Sequence, residues 1–175
     1  MIDFLYHYYD ESTGPFLNLS DLELEEAERV LQDIRIQKKG FASQRSADYL
    51  TIRRGLEWRA RELFILKGGR PVRRYPHYMT VGECAWLLEW FENGRELRIP
   101  AAAFDPYSIS FTYGDLFPTM RYEDGKVYRG QVYTLDEIGR VINRFGLPQQ
   151  WNPQGDHGPE RYVEVQIWAD DVHQL

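Results

Sequence analysis

The sequence predicts a single α+β domain in which a largely antiparallel mixed sheet carries three to four helices. Three observations lead there. The 175 residues are 43% hydrophobic and 27% charged, ordinary globular usage for one domain of roughly 100–200 residues. Strand-like and helix-like segments are mixed without a regular βαβ alternation. Two capping boxes announce helices, and no linker, repeat or low-complexity stretch divides the chain.

The elements follow in order. Residues 2–9 (IDFLYHYY) read as an aromatic first strand, closed by a turn cluster from Asp10 to Pro15. Ser20 and Glu23 form a capping box with Leu19 and Leu24 as its staple, so a first helix is expected from Ser20 to Lys38-Lys39-Gly40. A second helix is expected from about Ser46 to Lys67, with Tyr49, Ile52, Leu56, Ala60, Leu63 and Phe64 as one stripe. Gly55 inside it costs up to about 1 kcal/mol against Ala, which points to close packing or a bend. Strands are expected at His77–Val81, Arg95–Pro100 and Tyr107–Tyr113, with a short helix at Glu83–Glu92. Asp124-Gly125 predicts a hairpin between Met120–Glu123 and Lys126–Tyr133. Thr134 and Glu137 form the second capping box, and Gly146-Leu147-Pro148 stops its helix. A loop over residues 149–160 leads to a last strand within Arg161–Asp170, with Val163, Val165 and Ile167 inward.

Charge is unevenly spread. The net of −6 disfavours general binding to a phosphate backbone. Residues 45–74 carry nine bases against three acids, while residues 1–35 and 75–175 are each net −7. The basic helix therefore finds its partners inside the molecule, Glu57 pairing with Arg53 or Arg54 one turn away. Nucleic acid is not an expected partner. The lone Cys84 excludes an internal disulfide framework and reads as a small buried hydrophobe. Asp3 and Asp10 stand where a signal peptide would be basic, and no apolar run approaches a membrane span of ~18 residues. A soluble, cytoplasmic protein without a membrane partner is the expectation.

No phosphate-binding glycine loop, HExxH, GxSxG or paired-cysteine spacing is present, so the catalytic residues and cofactor are unknown at this stage. Candidate chemistry comes from scattered polar and aromatic residues. His7, beside Tyr6, Tyr8 and Tyr9, either bonds to a neighbour within a half-buried strand or opens with Tyr9 onto a cleft. His77 and Tyr78 repeat the pairing, with His77 either at a solvent edge or against a ligand. Asp115, after Tyr113 and Gly114, either caps a turn or is aimed outward at a strand end. Trp151, His157, Glu160 and Arg161 crowd one loop, which reads as an ordered structural loop or as part of a site. Catalytic candidates are Glu160, Asp115 and His77. Ligand-binding candidates are His7, Tyr9, Tyr78, Tyr113, Trp151, His157 and Arg161. No metal site is expected, because His7, His77, His157 and His173 share no ligand spacing.

Four of these stretches, Tyr6-His7-Tyr8, Pro76-His77-Tyr78-Met79, Ser110 to Asp115 and Gly158 to Tyr162, together resemble a bacterial family of about this length to which no activity is attached. A first strand with Tyr-His-Tyr and a last strand entered through Glu160, with Glu164 further along, also resembles ADP-ribosyltransferase-type enzymes. That likeness implies NAD held by the early His and an oxocarbenium-like transition state stabilised by the late Glu. The Ser or Thr that follows the His-Tyr pair in those enzymes is absent here.

Two functions are therefore expected side by side. The first is a binding or interaction protein with a polar-aromatic cleft for a small polar ligand or a protein partner. The second is an enzyme acting on a nucleotide or similar small polar molecule. In that version His7 or His77 is the acid/base or clamp, Asp115 or Glu160 the carboxylate, and Arg161 the anion anchor. Exposed Trp or Tyr patches would also suit a homodimer face. Both functional readings need His7, His77, Asp115, His157, Glu160 and Arg161 to converge on one hollow.

Overall fold

Five strands, β1 (Phe4–Asp10), β2 (His77–Val81), β3 (Gly94–Pro100), β4 (Ile109–Tyr113) and β5 (Val163–Ile167), form one sheet in the order β3-β1-β2-β5-β4. Every neighbouring pair is antiparallel. The structure is a computed structural model that describes residues 2–37 and 45–174, without the side chains of Gln37 and His173. Its α-helices are α1 (Leu24–Gln37), α2 (Tyr49–Leu66), α3 (Leu116–Arg121), α4 (Leu135–Phe145) and α5 (Pro148–Trp151). The expected α+β architecture is the observed one.

Alternation along the strands splits the sheet into two unlike faces. Leu5, Met79, Val81, Phe111, Val163, Val165 and Ile167 share one, where Ile138, Ile142 and Phe145 of α4 pack to complete the main core. The Thr134–Glu137 capping box starts α4 as expected, and Gly146 ends it at φ 80°. Tyr78, Thr80, Ser110, Thr112, Glu164 and Gln166 alternate with that set and occupy the opposite face. They are polar, yet all ten residues of β4 and β5 are buried. A second layer must therefore cover them, and α2 and α3 provide it through Ala60, Phe64, Leu116 and Met120, packed with Trp168. Helix α1 packs in turn against Leu50 of α2 through Ala27 and Leu31.

Several local expectations are corrected. Ser20 does not cap α1; it sits in a 3-10 turn at Leu19–Asp21 capped by the Asn18 side chain, and α1 starts only at Leu24. The expected stop at Lys38-Lys39-Gly40 lies outside the described residues. The helix expected at Glu83–Glu92 is a 3-10 segment, Ala85–Trp90. Its apolar side chains pack with Tyr8, Cys84 and Tyr162 in one cluster, and the Tyr8 hydroxyl fixes its start by accepting from the Cys84 N–H at 2.7 Å.

The Asp124-Gly125 hairpin does not form. Asp115 caps α3 by accepting from the Phe117 N–H at 2.7 Å. Met120, the first residue of the expected ribbon, is buried with Leu116 against Ala60 and Phe64 of α2 instead. Asp124 instead accepts from the Lys126 N–H and from the Arg129 guanidinium. An added Cβ at Gly55 would meet nothing within 4 Å, so close packing does not explain it. Glu57 pairs with Arg53 at 3.0 Å, one of the two partners expected for it, and is fully buried.

Candidate functional site

The polar face of the sheet is not wholly filled by its covering helices. Between β1, β2 and β5 on one side and α2 and α3 on the other lies a cavity of about 660 Å³, within the range of small-molecule sites. Its walls are largely aromatic: Tyr6 and Tyr8 from β1, Tyr78 from β2, Tyr49 from α2, Phe117 from α3 and Trp90 from the 3-10 segment. Tyr49 and Phe117 lie parallel, 2° apart with centroids at 5.2 Å. A flat wall of this kind favours a flat ligand.

Charged groups interrupt the aromatic lining in a defined order. Arg53, one turn before Glu57 on α2, donates to Glu57 Oε1 (3.0 Å), to the Tyr49 hydroxyl (2.8 Å) and to Asn18 Oδ1 (3.0 Å). The Tyr78 hydroxyl donates to the same Glu57 oxygen at 2.6 Å. Burial works against the Arg53 charge, but Tyr49, Glu57 and Tyr78 outweigh it and hold the guanidinium well above its ordinary value. Burial pushes the Tyr78 phenol well up, and the Glu57 carboxylate adds to it, so Tyr78 keeps its proton and donates it to Glu57.

Arg45 and Arg121 line the same cavity under different conditions. Among the described residues neither forms an ion pair. Arg45 lies over the Tyr49 ring at 4.4 Å, and burial lowers its affinity for a proton. Asp115 favours its charge without forming an ion pair with it, and a half-buried cation with so little compensation is costly.

Glu164 and Asp115 supply the acids. Asp115 accepts from the Phe117 N–H and, at 3.1 Å, from the Tyr162 hydroxyl. Burial drives the Glu164 carboxyl well above the ordinary carboxylate range. Asp115 adds to that rise, while Gln166, Arg53 and the Leu116 backbone amide oppose it. Three guanidiniums, Arg45, Arg53 and Arg121, and two acids, Asp115 and Glu164, line the cavity, and Glu57 behind the lining pairs with Arg53.

The structure brings together only part of the set expected to converge. His7, His77, Tyr78 and Asp115 line the cavity. His7 is also bonded within the fold: its Nδ1–H donates to Tyr78 O at 2.7 Å and Nε2 accepts from the Phe16 N–H at 2.9 Å. His77 is not at a solvent edge; it is buried, with the Phe16 ring edge-on at 5.5 Å. Asp115 fills both roles considered for it, capping α3 and facing the cavity.

The other candidates lie elsewhere. Tyr9 stacks on His7 at 5.7 Å but is not part of the lining. Tyr113 is fully buried in the main core, donating to Gly146 O and accepting from Trp151 Nε1. Trp151 is thereby tied to the core as well. Glu160 is fully buried, with Lys126 at 3.0 Å and Arg129 at 2.6 Å on its two oxygens. It anchors a loop whose carbonyls at Gly158 and Glu160 accept from Asn152. Arg161 covers Trp86 at 3.7 Å and donates to Pro153 O, and the His157 side chain is exposed. These bonds make residues 152–161 an ordered structural loop, leaving Pro159 as its contribution to the cavity.

Sequence reasoning missed Arg45, Arg53, Arg121 and Glu57 as members of one site, and noted Glu164 only as an acid further along the last strand. A signal for Glu164 existed. It alternates with Val163 and Val165 on a strand read as inward-facing, so a covered second face places it inside. Nothing in the spacing of Arg45 or Arg121 relates them to β5. Among the described residues no three His, Cys, Asp or Glu side chains gather as a metal-ligand group, and no helix is long and apolar enough to cross a membrane. No protein-family model, curated protein or solved structure matches this chain.

Proposed function

We propose that this protein binds a small organic anion with a flat aromatic body in the cavity between the sheet and helices α2 and α3. One observation carries the reading. Arg45 is half-buried in the cavity wall, stacked on Tyr49, and forms no ion pair among the described residues, with only the more distant Asp115 favouring its charge. An anionic ligand group supplies the missing counter-charge and can accept a bidentate pair of hydrogen bonds from a guanidinium. Arg121 adds a second cation at the same wall, and the parallel Tyr49 and Phe117 rings suit a planar body. Nucleoside monophosphates and aryl carboxylates both belong to this class. The free, buried Cys84 suits a reducing compartment such as the cytoplasm.

Thermal unfolding with matched ligands tests the proposal. A nucleoside monophosphate and a 2-naphthoate are compared with their uncharged counterparts, the nucleoside and the naphthamide. At about 100 times its dissociation constant a bound anion stabilises the fold by about 2.7 kcal/mol. Arg45→Gln should abolish that gain, and the uncharged partners should give little of it in either chain. Stabilisation by none of the anions, or an undiminished gain in the Arg45→Gln, Arg121→Gln double variant, rejects the reading.

A second reading, an enzyme acting on such an anion, is favoured by one feature. The cavity contains two acids in unlike surroundings: Glu164, buried and raised by burial, and Asp115, which accepts from the Phe117 N–H and the Tyr162 hydroxyl. Neighbouring carboxyls in unlike environments are a usual source of acid/base roles. Turnover of a bound anion, lost in Glu164→Gln while binding persists, would decide for it.

A further inference from the structure

Glu164 stands on β5, the strand between β2 and β4, with Thr80 and Thr112 directly opposite on either side. Neither threonine hydroxyl donates to it: Thr80 donates to Gly82 O and Thr112 to Gly114 O, both at 2.8 Å. What reaches Glu164 Oε1 is the Gln166 amide, at 3.1 Å. That amide has only one available orientation. The Trp168 indole N–H donates to Ser110 Oγ (2.9 Å), so the Ser110 hydroxyl proton is free for Gln166 Oε1 (2.8 Å). The Gln166 NH₂ then donates both protons, one to Thr112 Oγ1 (3.0 Å) and one to Glu164 Oε1.

The chain of donors therefore runs one way, from Trp168 to Glu164, and ends at an oxygen that accepts. No cation lies within ion-pair distance of Glu164 among the described residues. A carboxyl that is buried, unpaired and beside Asp115 keeps its proton. Gln166 occupies Oε1 as an acceptor, and with the Leu116 backbone N–H also facing the carboxyl, Oε2 is the oxygen left to carry the hydrogen.

We infer that Glu164 presents an O–H to the cavity and reads a neutral hydrogen-bond acceptor, a carbonyl oxygen or a pyridine-type ring nitrogen, on the aromatic anion that fills it. The inference rests on the proposed anion site and adds a second recognition element. The arginines select the charge, and Glu164 selects an acceptor elsewhere on the same molecule. A ligand with a second carboxylate there would also meet the Asp115 charge and be disfavoured. The groups facing Glu164 are Asp115 and the Leu116 backbone N–H at the start of α3, Arg53 on α2 (itself engaged by Glu57), Tyr78 on β2 and Tyr162 before β5. Both phenols keep their protons far above neutrality and do not titrate alongside it.

Two probes of one shape test this: 6-acetyl-2-naphthoate, which carries a carbonyl, and 6-isopropyl-2-naphthoate, which does not. Calorimetric titration of the whole chain should show the acetyl compound bound about tenfold more tightly, the effect of one buried hydrogen bond. Glu164→Gln retains an N–H donor and should keep the preference; Glu164→Met should erase it. In the wild type the preference should also vanish as rising pH ionises Glu164, whereas in Glu164→Gln it should persist. That pH contrast decides the matter even if Glu164→Met does not fold. Equal binding of both probes by the wild type, or a preference unchanged in Glu164→Met, overturns this inference and leaves the anion site standing. Failure of both probes to bind removes the anion site, and this inference with it.

Discussion

Phe16 and His7 hold each other in place: the Phe16 backbone N–H donates to His7 Nε2 at 2.9 Å, and the two rings stack with centroids 4.1 Å apart. The contact fixes more than position. Nε2 can accept only if Nδ1 carries the hydrogen, and Nδ1 indeed faces Tyr78 O at 2.7 Å. His7 is thus a neutral imidazole bridging β2 to the segment after β1. Phe16 itself has φ 58°, a conformation that costs a bulky residue about 1–3 kcal/mol and persists only where its surroundings enforce it. His7 does the enforcing, and Asn18 secures the far side by donating to Pro76 O and accepting from Arg53.

His7→Ala should therefore destabilise the fold by about 3 kcal/mol. It leaves the Phe16 N–H and the Tyr78 carbonyl without their partner and opens a void beside the Phe16 ring. Urea denaturation with an unchanged m-value checks it. A loss below about 0.5 kcal/mol would show that the segment from Gly14 to Asn18 is held by something other than this imidazole.

Two glycines should respond in opposite directions. Gly55 lies inside α2, is exposed, and an added Cβ would meet nothing within 4 Å. Gly55→Ala should stabilise by about 0.5–1 kcal/mol, through helix propensity and a less flexible unfolded chain. Gly94 opens β3, and a Cβ there would stand 2.6 Å from the Leu88 carbonyl oxygen. Backbone cannot yield as a side-chain end does, so Gly94→Ala should lower the midpoint of thermal unfolding. The two shifts, measured in the same buffer, should have opposite signs.

The sheet and the long helices were legible because their signals are local. Alternation marks β4 and β5, and Thr134, Glu137 and Gly146 mark both ends of α4. The Asp124-Gly125 signal misled because Met120, the first residue of the expected ribbon, is buried with Leu116 against α2 instead. The site was only half legible for a related reason. His7, His77, Tyr78 and Asp115 advertise themselves beside glycine, proline and aromatic neighbours. Arg45 and Arg53 look like surface charges of a basic helix until the buried polar face of β5 is known to lie opposite them. Glu160 was attractive for its place in a crowded loop. Lys126 and Arg129, more than thirty positions earlier, take up both of its oxygens, and no spacing rule connects them.

The same contrast between carboxyls fixes the sign of a pH dependence. Burial and then Asp115 hold the Glu164 carboxyl well above its ordinary value of 4.5. From pH about 4.5 upward the folded chain therefore keeps a proton that the unfolded chain has released, and stability falls as pH rises through that window. Asp124 runs the other way: its hydrogen bond from Arg129 lowers its carboxyl from 3.8 to about 2. Its contribution is present above 3.8 and is lost as pH falls toward 2. Urea midpoints across pH separate the two groups. Glu164→Gln should gain on the wild type progressively above pH 4.5, while Asp124→Asn should flatten the acid side alone. Parallel curves for Glu164→Gln and the wild type above pH 4.5 would mean that the carboxyl in the cavity is already ionised, and the O–H assigned to it would have to be given up.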